Sequence, residues 1–158
     1  MKFKVFSQRE AESIKYSANC LVISITGDKN EKANITHTNL LRLKFHDIDR
    51  KGNDNWTLFD NSLAKTLLSY VNNNIKGVDT IIVHCHAGIS RSPAVASALS
   101  YILNGTDYDL IKRYGLYNRR VYSTIVREFQ ENYDSYKLMT EFLNLKLKST
   151  SNKELRGE

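Results

Sequence analysis

Read for apolar and polar positions, the chain alternates short strand-like runs with longer stretches of helical period. Residues 3–6, "FKVF", predict a short strand. Ser7, followed three residues later by Glu10, forms a capping-box pattern that opens a short helix. "CLVISIT" (20–26) reads as a buried strand closed by the turn-like "GDKN". "NLLRLKFHDI" sets Leu41, Leu43 and Phe45 against Arg42 and Lys44, the alternation of a half-buried strand. "DRKGNDN" is a polar loop. From Thr57 to about Asn74, Phe59, Leu63, Leu67, Tyr70 and Val71 form a helical stripe. "DTIIVHC" is the next strand. A helix from Ser90 to Leu103 follows, with Pro93 in its first turn and Asn104-Gly105 as its stop. Beyond Thr106, "YDLIKRY", "NRRVYSTIVREFQ" and "SYKLMTEFLNLKL" predict three further helical segments. Strands alternating with helices imply an α/β layer fold. We expect a single domain with a central mixed, mainly parallel sheet flanked by helices, spanning residues 1–148, and a flexible tail at 149–158.

Composition changes this picture little. A chain of 158 residues fits one domain. No apolar run approaches the ~18 residues of a membrane span, and the basic N-terminus meets "SQRE" too early for a signal peptide. Two cysteines far apart suggest reduced thiols and a cytoplasmic setting. The net charge of +6 favours anionic partners. The Lys and Arg are scattered, which does not mark out nucleic acid.

The segment that carries chemistry is "VHCHAGISRS" (83–92). Cys85 ends a strand, and the chain must turn through His86–Ser90 before entering a helix. Successive backbone N–H groups in such a loop can converge at the helix N-terminus and hold an anion. Gly88 tolerates a positive φ. Arg91 adds a planar fork suited to phosphate oxygens. A thiol at the centre of that cradle is favoured as thiolate and faces a bound phosphate as a nucleophile. The alternative for Cys85 is a buried structural cysteine. Zinc binding by "HCH" is a weak competitor, because adjacent residues at a strand end point in different directions, and His37 and His46 are isolated. Cys20 reads as core; a disulfide to Cys85 is the other option.

Cys85, five residues, then Arg91, within "HCHAGISRSP", resembles the signature of cysteine-dependent protein tyrosine phosphatases, and of their dual-specificity branch in particular. The order of elements from about residue 19 to 130 is similar to that family's core. The resemblance implies Cys85 as nucleophile and Arg91 as phosphate and transition-state ligand. The backbone of His86, Ala87, Gly88, Ile89, Ser90 and Arg91 would bind phosphate. Ser92 would hydrogen-bond the sulfur and help it leave. His84 would support the loop and help keep the thiol ionised. No metal or cofactor is implied.

The family also uses an aspartic acid on a loop upstream of the signature, to protonate the leaving oxygen. Aligning "LLRLKF" with the family's strand puts Asp47 at that position; Asp49 is the next candidate, and Asp54 lies further into the loop. Asn118, after Tyr117 where the family often has Pro, would brace the phosphate loop or cap a helix, or both. The loop interior holds no Lys, which argues against inositol phospholipids. The implied partners are phosphorylated proteins bearing phosphotyrosine, with phosphoserine and phosphothreonine also open. The alternatives are an RNA 5′-phosphatase of the same superfamily and a catalytically silent phosphoprotein-binding module.

Overall fold

The computed structural model describes residues 1–27, 31–50, 52 and 54–156, with side chains to residue 151. Parts of the expected turn at 27–30 and loop at 49–55, and the last two residues of the expected tail, lie outside these. The elements run β1 (Lys2–Ser7), α1 (Gln8–Ser13), β2 (Cys20–Thr26), β3 (Leu40–Lys44), α2 (Asn61–Asn74), β4 (Thr80–Cys85), α3 (Arg91–Asn104), α4 (Tyr108–Arg113), α5 (Arg119–Glu131), a single 3₁₀ turn (Tyr133–Ser135) and α6 (Lys137–Arg156). The four strands form one sheet in the order β1-β4-β2-β3. Every described pairing is parallel, more uniform than the mixed sheet expected. The chain is an α/β fold with helices on both sides of a parallel sheet. No described helix is long and apolar enough to cross a membrane.

Side-chain alternation along the central strands sorts the core. Leu21, Ile23 and Ile25 of β2 and Ile81, Val83 and Cys85 of β4 join the larger cluster, shared with α2, α3, α5 and α6. Cys20, Val22 and Ile82 face a smaller cluster with Ala11 of α1 and with Ala33 and Ile35. Strands buried on both faces explain the near-continuous apolar runs of "CLVISIT" and "TIIVHC". Arg42, expected on a polar face, donates to the carbonyls of Ala33 (3.1 Å) and Ile35 (2.7 Å), and so ties down the segment covering the smaller cluster.

Helix ends follow side-chain chemistry. The capping box at Ser7 is formed: Glu10 accepts from the Ser7 N–H at 2.7 Å, and the Ser7 hydroxyl accepts from the Glu10 N–H at 3.3 Å. α2 starts four residues later than the stripe predicts, at Asn61, because Asp60 accepts from the Leu63 N–H at 2.9 Å and caps it there. α3 ends as expected, with Gly105 left-handed at φ 74°. α6 continues to Arg156, past the boundary expected at 148.

α3 is buried on nearly every side. It touches β1 and β4 as well as α4, α5 and α6. That central placement packs its N-terminus at the end of β4. Leu99 is fully buried in it. Leu99→Ala should destabilise the fold by ~2–5 kcal/mol, the usual range for a buried leucine. Urea denaturation checks this; a loss below ~1 kcal/mol would mean the α3 packing is looser than described.

Candidate active site

The alternation that sends Ile81 and Val83 toward α3 also sends Cys85 there, at the carboxyl end of β4. Ligand sites of parallel α/β sheets sit at that end of the strands. The thiol is 2% exposed. Its Sγ lies 3.1 Å from Ser92 Oγ and accepts the Gly88 N–H at 3.3 Å. Ser92 is in the first turn of α3, so the helix places one partner and the loop the other.

His84 faces the opposite way. It pairs in register with Ser24 of β2, and its Nε2 lies 2.8 Å from Ser24 Oγ. Its Nδ1 is 3.5 Å from the Cys85 carbonyl. A carbonyl only accepts, so Nδ1 carries the ring proton and Nε2 accepts from the serine. Burial holds the His84 pKa below the ordinary histidine value, outweighing the hydrogen bond to Cys85 that raises it. His84 therefore favours its neutral form, and its contact with Cys85 is to the backbone carbonyl. His86 is exposed, with Nδ1 4.0 Å from Glu31 Oε1. The three residues of "HCH" thus enter three different environments. Among the described residues no three His, Cys, Asp or Glu side chains are grouped to hold a metal.

The loop 86–91 rests on the end of β1. Gly88 has φ 74°, and a Cβ there would lie 2.7 Å from Ser7 N and 2.8 Å from Phe6 C. The Gln8 N–H donates to the His86 carbonyl at 3.1 Å. Glycine is thus required twice, for its dihedral and for the close backbone approach. Arg91 is buried, and its Nη1 donates to the Phe45 carbonyl at 2.9 Å. Its Nε has no hydrogen-bond partner among the described residues. A buried guanidinium with an unmet donor is unusual, because buried polar groups are nearly always paired.

The segment after β3 closes over this loop. The His46 N–H donates to the Thr57 carbonyl at 2.8 Å, and the Thr57 N–H donates to His46 Nδ1 at 2.9 Å, which pins the base of the loop 47–56. Asp47 Oδ1 accepts from Ser90 Oγ at 2.8 Å and from Asn118 Nδ2 at 2.8 Å. Asp49 has a different setting. Its carboxylate is 3.9 Å from Arg50 Nε, both side chains well exposed, and its carbonyl accepts from Arg120 at 3.4 Å. Asp54 is exposed further along the loop. Asn118 links two segments. Its Oδ1 caps α5 through the Val121 N–H at 3.1 Å, and its own N–H donates to the Ser90 carbonyl at 3.2 Å. A cleft of ≈ 520 Å³ opens between the acid-bearing loop, Ser90 and the 115–119 turn.

The structure thus gathers Cys85, Gly88, Ser90, Arg91, Ser92, Asp47 and Asn118 at one end of the sheet. It separates Cys20 from them. Cys20 sits at the opposite end and pairs with Thr80, five residues along β4 from Cys85, or roughly 16 Å at strand rise. A disulfide needs Cα atoms within ~7 Å, so the alternative Cys20–Cys85 bridge is corrected: both thiols are free and buried. Sequence reasoning missed Ser24, His46 and Gly27, where a Cβ would meet Arg91 Nη1 at 3.5 Å. The signal for Ser24 was there: it is a polar residue in a buried strand, in need of a partner such as His84.

No family model matches the chain, and no curated protein matches it. Among solved structures, one that it resembles is the crystal structure of Tk-PTP in the active form. The identity is 15% over 90% of each chain, with a TM-score of 0.39. So distant a likeness assigns no activity, and the site's own geometry carries the functional reading.

Gly88→Ala should destabilise the fold by at least ~2 kcal/mol, because a left-handed penalty of ~1–2 kcal/mol adds to the backbone clash; chemical denaturation measures it. Because the folded pKa of His84 is lowered, the unfolded chain binds the extra proton first as pH falls. The stabilisation is complete above the unfolded value of about 6.5 and is lost as pH falls toward the folded value, at up to about 1.4 kcal/mol per pH unit. His84→Gln should flatten this limb of the stability–pH curve between pH 7 and 5. An unchanged slope would assign the limb to other groups.

Proposed function

We propose that the protein is a phosphatase that hydrolyses phosphate monoesters on proteins, phosphotyrosine first, through a phospho-cysteine intermediate. Phosphoserine and phosphothreonine stay within its reach, and the setting is cytoplasmic. The observation that carries this reading is the Cys85 thiol between the Gly88 N–H and the Ser92 hydroxyl, under a loop that ends in the buried Arg91, whose Nε has no partner among the described residues.

In this reading the phosphate oxygens accept from the N–H groups of His86 through Arg91 and from the guanidinium. The Cys85 thiolate attacks phosphorus, so an S–P bond forms as the P–O bond to the leaving group breaks. Asp47 gives its proton to the departing oxygen, releasing the free tyrosine hydroxyl. The Asp47 carboxylate then takes a proton from water as that water attacks phosphorus. The S–P bond breaks, inorganic phosphate leaves, and the Ser92 hydroxyl stabilises the returning thiolate. The hydrogen bond from the phosphate loop to Asp47 favours it over Asp49, whose carboxylate lies out toward Arg50. No step calls for a metal or cofactor.

Hydrolysis of an aryl phosphate and of phosphopeptides should persist with chelator and vanish in Cys85→Ser, which should still bind inorganic phosphate. Asp47→Asn should cut turnover by about 10²–10⁴-fold. An unaltered rate would move the acid to Asp49, and absence of Cys85-dependent hydrolysis in the folded wild type would remove the reading.

A further inference from the structure

We propose that Asn118, together with Ser90, is a positioning residue that fixes which oxygen of Asp47 carries the transferable proton. The inference rests on Asp47 being the general acid.

The Asn118 amide has one orientation. Its Oδ1 accepts the Val121 N–H at 3.1 Å, so the NH₂ end is the one directed at Asp47. Nδ2 donates to Asp47 Oδ1 at 2.8 Å and reaches the Ile48 carbonyl at 3.4 Å. The Ser90 hydroxyl donates to the same Oδ1 at 2.8 Å. An oxygen that accepts two hydrogen bonds does not also hold the proton. The neutral carboxyl therefore carries its proton on Oδ2, and the two donors fix the direction in which Oδ2 faces. Asn118 is largely buried while Asp47 is exposed, so the partner held by packing and by its α5 cap positions the solvent-facing one. The same asparagine donates its backbone N–H to the Ser90 carbonyl at 3.2 Å. One residue thus joins the acid-bearing loop, the anion loop and the start of α5. Spacing in the sequence cannot show this, since Asp47, Ser90 and Asn118 come from three separate segments.

A general acid matters most when the leaving group is poor. Loss of positioning should therefore lower kcat/KM more for phenyl phosphate than for 4-nitrophenyl phosphate, whose leaving group needs little protonation. Asn118→Asp keeps an oxygen able to cap α5, since Asp and Asn cap about equally, but has no N–H to give Asp47. Ser90→Ala removes the other donor, and the Ser90 side chain makes no cap to α3. Each variant should widen the ratio of the two kcat/KM values by about tenfold or more, within the span a general acid supplies. Asp47→Asn should show the same bias, and adding Asn118→Asp to it should widen the ratio no further. Equal losses on both substrates in Asn118→Asp and Ser90→Ala, with an active wild type, would overturn the positioning role and leave the phosphatase reading standing. A wild type without Cys85-dependent hydrolysis would remove both.

Discussion

The site depends on one close approach, the backbone of Gly88 against the backbone of Phe6 and Ser7 at the end of β1. Everything the loop does follows from its being pressed flat there. With the glycine seated, its N–H reaches the thiol, and the chain enters α3 with Arg91 and Ser92 already in place. A side chain at that point would lift the loop off the sheet and pull the N–H from the sulfur. Packing thus sets the chemistry: the geometry around Cys85 is a by-product of how tightly a loop can lie on a strand end.

Two further constraints make the arrangement rigid. Arg91 is tied to the Phe45 carbonyl, so the residue that would meet an anion also staples the loop to the end of β3. His84 and Ser24 satisfy each other across the sheet on the face away from the thiol. A buried polar pair is tolerated only when paired, and this one holds the strand end that presents Cys85. Neutral on account of its burial, His84 adds order without adding charge.

The fold was legible in the sequence where one local cause dominates. Period-two and period-3.6 patterns located β3 and α2, continuous apolar runs located β2 and β4, and Gly105 and the Ser7–Glu10 pair marked real helix ends. The start of α2 was misjudged because Asp60 overrides an apolar stripe that extends upstream of it. Within the site, the Cys85–Arg91 spacing and its flanking strand and helix marked out the loop and helix turn that contact the thiol. The links between segments were not readable. Asp47 to Ser90 and Asn118, Arg91 to Phe45, and His46 to Thr57 all depend on loops meeting in space. No periodicity records such meetings.

The seat for Gly88 comes from β1, and among the described residues β1 pairs only with β4, Lys2 opposite Thr80. Opposite ends of a long stretch of chain must therefore meet before the loop has anything to rest on. Closing a loop that long carries an entropic penalty before any contact offsets it, and such pairings slow folding. Helices can form from local contacts, whereas the 86–91 loop gains its seat on β1 only once that long-range pairing is made. A nascent or partly folded chain would thus hold its thiol in an unfinished loop, and the close setting of Cys85 between Gly88 and Ser92 would come into being with the completed sheet.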